Sequence, residues 1–148
     1  MNNGWDAFAT GVVFVWLGMV LAISFLEAPL KFRAPGVTHV IGLGIGRLVF
    51  RALNAVESVF ALVVAVALAL AMASGGDAVD TAAVIGCAIA VAALIGELAL
   101  VRPRLKRRSD LVLAGYTGTR SRAHYAYVAF EIVKVLGLLV GGAALLVG

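Results

Sequence analysis

Cysteine is all but missing from this chain. Cys87 stands alone, so neither an internal disulfide nor a cysteine-based zinc site can form, and inside an apolar run it reads as a small buried side chain. Histidine is nearly as scarce, with only His39 and His124. A four-carboxylate di-iron bundle needs Glu-x-x-His on two helices; Asn54-Ala-Val-Glu57 and Glu131-Ile-Val-Lys134 have no histidine at that spacing. A shared haem would have to draw on His39 and His124, and a lone interfacial histidine is usually just hydrogen-bonded or solvated. No nucleophile-base-acid arrangement can be recognised. Neither an enzyme nor a bound cofactor is expected.

Charge is also scarce: Asp, Glu, Lys and Arg make up 14% of the residues, where a soluble domain carries about a quarter. The opening stretch MNNGWDAFAT has no lysine or arginine and carries Asp6. The apolar run after it ends at Glu-Ala-Pro rather than at a small-residue cleavage pattern, which argues against a removable signal peptide. Basic residues are absent from the SGGDAVD connection too. Of the 12 Lys and Arg, all but Lys134 lie in two segments: Lys31, Arg33, Arg47 and Arg51 in the first, and Arg102, Arg104, Lys106, Arg107, Arg108, Arg120 and Arg122 in the second. That placement explains the net charge of +4 without nucleic acid, for which no binding is expected. It is the pattern of cytoplasmic connections under the positive-inside rule. Arg47, Arg51, Arg102 and Arg104 are then candidate contacts to lipid phosphate or a partner.

What the chain does have is apolar length, with 63% hydrophobic residues. Four windows are long enough to cross a hydrocarbon core of about 30 Å: residues 8–26, 53–73, 79–101 and 125–147. The expectation is one membrane domain over 1–148, an all-α integral membrane protein built as a four-transmembrane-helix bundle. Both basic connections would be cytoplasmic and both termini outside. The setting is a multi-pass protein of a bacterial plasma membrane.

Between the first two windows, Pro29, Pro35 and Gly36 read as punctuation that ends span one, and Thr38 as the N-cap of the next helix. From there to Ala73 the chain would make about 54 Å of helix at 1.5 Å per residue, too long for one upright span. Residues 38–51 are therefore expected either as an interfacial helix or as part of one tilted, continuous helix. The glycines of IGLGIGR do not fit a dinucleotide loop, which needs a preceding strand and another spacing. Gly42 and Gly46 instead match the small-xxx-small spacing of closely packed helices.

The two hairpins fit either a duplicated unit or a chance similarity between two basic cytoplasmic turns. EAPLKFR at the end of span one is echoed by ELALVRPRLKRR at the end of span three, and each following span has an early glutamate. Each span thus carries one glutamate toward its cytoplasmic side: Glu27, Glu57, Glu97 and Glu131. Charge within hydrocarbon costs several kcal/mol unless it faces the bundle or pairs, so these are site candidates. In span four His124, Tyr127, Glu131 and Lys134 share one helix face. In span two Arg47, Arg51, Asn54 and Ser58 do, with Glu57 on the flank; in span three Gly86, Ala90 and Ala93 lie on the side of Glu97. The economical arrangement buries Glu57, Glu97, Glu131 and Lys134 together, with His124 and Tyr127 in the same cluster. The plain alternative is neutralisation within each helix, Glu131 by Lys134 and Glu27 by Lys31.

LKFRAP after span one, VRPRL after span three, and His124 followed seven residues later by Glu131 resemble the transmembrane-protein-205-like family of small four-helix membrane proteins. The resemblance implies the four-span layout and a link to resistance against toxic metal compounds. Glu131 departs from it, since that family more often has an amide at this position. Two functions are consistent with the residues. One is a non-enzymatic accessory subunit of a larger membrane complex, or a homo-oligomeric bundle. The other is a proton- or cation-coupled carrier or channel using the buried glutamates.

Overall fold

The computed structural model describes residues 4–74, 79–116 and 122–148. Arg120 of the second basic connection and residues 75–78 of the SGGDAVD connection lie outside them. The described chain is all-helical, with four principal helices: α1 (Gly4–Arg33), α2 (His39–Ala73), α3 (Thr81–Leu113) and α4 (Arg122–Val147). All four are long and apolar enough to cross a membrane. Two have clear starts. The Thr38 hydroxyl accepts the Ile41 N–H at 3.3 Å, and the Asp80 carboxylate accepts the Ala82 N–H at 2.7 Å, each satisfying a first-turn donor that has no helical partner.

Residues 38–51 are not a separate interfacial helix; α2 is uninterrupted from His39 to Ala73. No proline lies between Thr38 and Ala73, and the only positive-φ residues among those described are Gly36 and Gly115, so nothing breaks the backbone. Gly42 and Gly46 seat side chains from the end of α1, the Phe32 ring against Gly42 and the Lys31 ammonium against Gly46. They serve close packing, though of side chains rather than of a second helix.

Pro29 does not end α1 either. The helix passes through it to Arg33 and gives way at Ala34–Gly36, where Gly36 takes φ +80°. The reason lies one turn earlier. Leu21–Glu27 is π-helical, with the Ala28 N–H bonded to the Ile23 carbonyl, and this wider turn leaves room for a proline ring that would otherwise strike the preceding turn. The same device recurs in α3, where Glu97–Val101 is π-helical and Pro103 follows it. Both π segments end two residues before a proline. Because of this α3 also runs past residue 101, carrying the basic stretch out to Leu113.

Each helix buries one stripe at spacings of three and four: Ala9, Val13, Trp16 and Val20 on α1, and Leu53, Glu57, Ala61, Val64 and Leu68 on α2. The opposite faces are apolar as well, with Val15, Val59, Leu62, Leu136 and Val140 exposed. Exclusion of apolar surface from water therefore does not select the inner stripe; close approach and polar partners do. Helix α1 packs on α2 and α4, and α3 packs most extensively on α4. At the α3–α4 crossing a Cβ on Gly86 would lie 2.5 Å from the Gly141 nitrogen and 2.7 Å from the Gly137 carbonyl oxygen. Only glycine permits that contact.

Candidate functional site

Three helices converge on one ammonium group, and the fourth reaches it through Glu57. Lys134 Nζ, in the middle of α4, donates to Glu57 Oε1 of α2 at 2.7 Å, to Glu97 Oε2 of α3 at 2.9 Å and to Glu131 Oε1 of its own helix at 3.2 Å. All four side chains are 0–1% exposed. Two further donors complete the inner ring: Trp16 Nε1 of α1 to Glu57 Oε1 at 2.9 Å, and the Tyr127 hydroxyl to Glu131 Oε1 at 2.5 Å. Lysine has three donors, and here each is used on a different carboxylate.

Local sequence sets this geometry. Tyr127, Glu131 and Lys134, at steps of four and three, stack on one face of α4. Glu57 sits in the 3.6-period buried stripe of α2. Glu97 is the first residue of the π segment of α3, one helical turn beyond Ala93 and Leu94 on the packed face. Single-turn π segments concentrate at functional sites, and here the widened turn begins at a residue that reaches Lys134.

The acceptors are only half used. Glu57 Oε2, Glu97 Oε1 and Glu131 Oε2 are buried and have no hydrogen-bond partner among the described residues. Asn54, one turn from Glu57, is 4% exposed, and its Oδ1 is likewise without a partner. Three carboxylates face one ammonium, a formal charge of −2 when all are ionised, and buried groups cannot hold such an excess without further compensation. One oxygen from each of Glu57, Glu97 and Glu131 lies within 4.8 Å of the others, a spacing that three metal ligands could have. Lys134 lies within hydrogen-bond distance of all three, however, and occupies the place of a cation at their centre.

His124 does not join this cluster. It lies exposed at the start of α4 with its ring 6.1 Å from that of Tyr125; two helical turns separate it from Glu131, beyond the packed part of the bundle. His39 is also exposed and stacks on Phe32 at 5.7 Å. The polar face expected on α2 divides: Asn54 and Glu57 are buried, whereas Arg51 and Ser58 are exposed. Arg47 bonds Asp110 of α3 at 2.5 Å. Arg102 and Arg104 are exposed, and Arg104 Nη1 donates to the Leu100 carbonyl at 2.7 Å. Glu27 pairs with Lys31 at 3.3 Å, away from the central cluster.

Two contributors were not singled out from sequence. Trp16 carried a legible signal, since a tryptophan in the middle of an apolar span needs a partner for its indole N–H. Ser24 carried almost none; its hydroxyl lies 3.4 Å from that of Tyr127 because the π turn of α1 rotates it there.

The fold and site together define an all-helical protein with four helices able to cross a membrane and a charged cluster at its centre. Comparison with known proteins found no matching family model, no matching curated protein and no matching solved structure.

Proposed function

We propose that this chain is a four-span integral membrane protein, a duplicated helical hairpin with both termini outside, that works as a proton-coupled carrier in a bacterial plasma membrane. The observation that carries this reading is the buried Lys134 ammonium bonded to three carboxylates at 2.7, 2.9 and 3.2 Å. A helix needs no such cluster merely to neutralise its own charge, because Glu131 alone would serve Lys134 at an i, i+3 spacing. Glu57 and Glu97 are instead brought in from two other helices. Their excess negative charge is balanced by exchangeable protons, with Lys134 as a tethered counter-charge where a free metal ion would otherwise sit. The basic connections favour the cytoplasmic side for the end that carries Lys31 and Arg47.

The test is proton flux in vesicles loaded with a pH-sensitive dye. The protein should dissipate an imposed pH gradient faster than empty vesicles do, and a Glu57→Gln, Glu131→Gln double variant should not. Flux at the empty-vesicle level for both proteins would end the carrier reading.

A second reading, an accessory subunit or homo-oligomer, has one observation in its favour. Gly4, Ala7, Gly11, Gly18 and Ala22 are exposed on α1, and no heavy atom lies within 4 Å of where a Cβ would stand on Gly4, Gly11 or Gly18. Small residues at such spacings let another helix approach closely. Native mass determination in mild detergent tests it, and a single chain with no co-purifying protein would count against it.

A further inference from the structure

The central cluster is approached by a hydrogen-bonded chain from one end of the bundle only. The Tyr127 hydroxyl has one proton to donate and gives it to Glu131 Oε1 at 2.5 Å. In its 3.4 Å contact with Ser24, Tyr127 is therefore the acceptor and Ser24 the donor. The chain thus has a direction, Ser24 to Tyr127 to Glu131, and from Glu131 Oε1 the Lys134 ammonium leads on to Glu57 and Glu97. Ser24 is half-buried, near the end where α1 turns over into α2.

The other direction is closed. Val13, Val64, Ala90 and Leu138, one from each helix and each 0–1% exposed, pack beyond the cluster. Past that layer the buried polar groups among the described residues are the Thr10 hydroxyl, which donates to the Asp6 carbonyl of its own helix at 2.7 Å, one carboxylate oxygen of Asp6 and the Cys87 thiol, and none of them is hydrogen-bonded to the cluster. Asn54 lies on the Ser24 side of Glu57. The hydrogen-bonded chain that could relay a proton to the cluster therefore lies on one side.

We infer that protons reach the carboxylate cluster from the Lys31-bearing end through Ser24 and Tyr127, and that the Val13–Val64–Ala90–Leu138 layer closes the opposite end. This rests on the reading of the cluster as a proton site. In the transfer, Tyr127 passes its hydroxyl proton to Glu131, the O–H bond breaking as the new one forms, and takes a replacement from Ser24, which takes one in turn from a hydronium ion, leaving water. The ionisable groups facing the route are Glu27 and Lys31 of α1, Glu57 of α2, Glu97 of α3, and Glu131 and Lys134 of α4. Lys31 stands at its edge, with Nζ 5.1 Å from the Phe50 ring centroid and Phe50 edge-on to Tyr127 at 5.1 Å.

Trp16 provides the readout. It is one of two tryptophans, and its indole donates to Glu57, so in a Trp5→Phe protein its emission reports the charge of the cluster. Stopped-flow pH jumps on this protein in detergent should give an emission change. Tyr127→Phe should slow it by a factor on the order of 10², the contribution of a positioned proton-transfer group. Ser24→Ala, which leaves the Tyr127–Glu131 bond in place, should slow it at unchanged amplitude; Thr10→Val should leave the rate alone. A parental rate in Ser24→Ala removes Ser24 and overturns the route, and equal slowing in Thr10→Val overturns one-ended access. Absence of any emission change, in protein that stays helical by circular dichroism, overturns the proton site itself.

Discussion

Replacing Lys134 by methionine removes the only cation among the described residues from a site that holds Glu57, Glu97 and Glu131 at 0–1% exposure. Methionine keeps most of the volume and the helix propensity, so the change is essentially one of charge. The formal charge passes from −2, three carboxylates against one ammonium, to −3; three carboxylate oxygens lose the ammonium at once, Glu57 Oε1 and Glu131 Oε1 keeping Trp16 and Tyr127 as donors and Glu97 Oε2 being left with none among the described residues. Breaking a buried ion pair by removing one partner costs about 3–5 kcal/mol, and the loss at near-neutral pH should fall in that range. It should shrink as pH falls, because protons then take over the neutralisation that Lys134 supplied. Adding Glu57→Gln, Glu97→Gln and Glu131→Gln to Lys134→Met brings the formal charge to zero and should restore most of the lost stability, since a buried ion cluster replaced whole by neutral groups is often close to neutral in free energy. The assay is reversible unfolding in mixed micelles followed by circular dichroism, at two pH values. Wild-type stability for Lys134→Met at near-neutral pH, or a quadruple variant less stable than the single one, would refute the reasoning.

Other outcomes follow from particular contacts. Gly86→Ala forces a Cβ against the Gly141 and Gly137 backbones and should lower stability by about 1–3 kcal/mol, the usual cost of overpacking. Gly44→Ala, inside α2 and with no heavy atom within 4 Å of the new Cβ, should raise stability in thermal unfolding by about 0.5–1 kcal/mol, the helix-interior difference between the two residues. Trp16→Phe removes the indole donor to Glu57 and should cost about 1.5–3 kcal/mol, the value of a hydrogen bond to a charged group. Asp110→Ala breaks the half-exposed pair with Arg47 and should cost no more than about 1 kcal/mol, with proton flux unaltered. Cys87, 3% exposed and packed against Gly141, should resist maleimide in the folded protein and react after denaturation, as mass spectrometry would show.

The four apolar helices could be read from hydropathy because length and composition alone decide whether a helix can cross a membrane. The meeting of Glu57, Glu97, Glu131 and Lys134 could be inferred from the cost of leaving charge in hydrocarbon. Face periodicity went further than burial: it put His124 on the Tyr127–Glu131–Lys134 stripe, but a shared face does not reveal where the neighbouring helices stop covering it. Pro29 was misleading for a related reason. A proline normally clashes with the preceding turn, and the π segment that relieves the clash leaves no mark in residue periodicity. Ser24 was hidden by that same turn, since a helix register counted at 3.6 residues shifts once a π turn intervenes.

Proton binding by the cluster is most directly tested by counting protons. Folded wild-type protein and the Glu57→Gln, Glu97→Gln, Glu131→Gln, Lys134→Met variant would be titrated side by side in unbuffered detergent solution. The wild type should take up protons over part of the pH range that the variant does not, with Trp16 emission changing over the same interval. Superimposable proton-uptake curves for the two folded proteins would contradict the account.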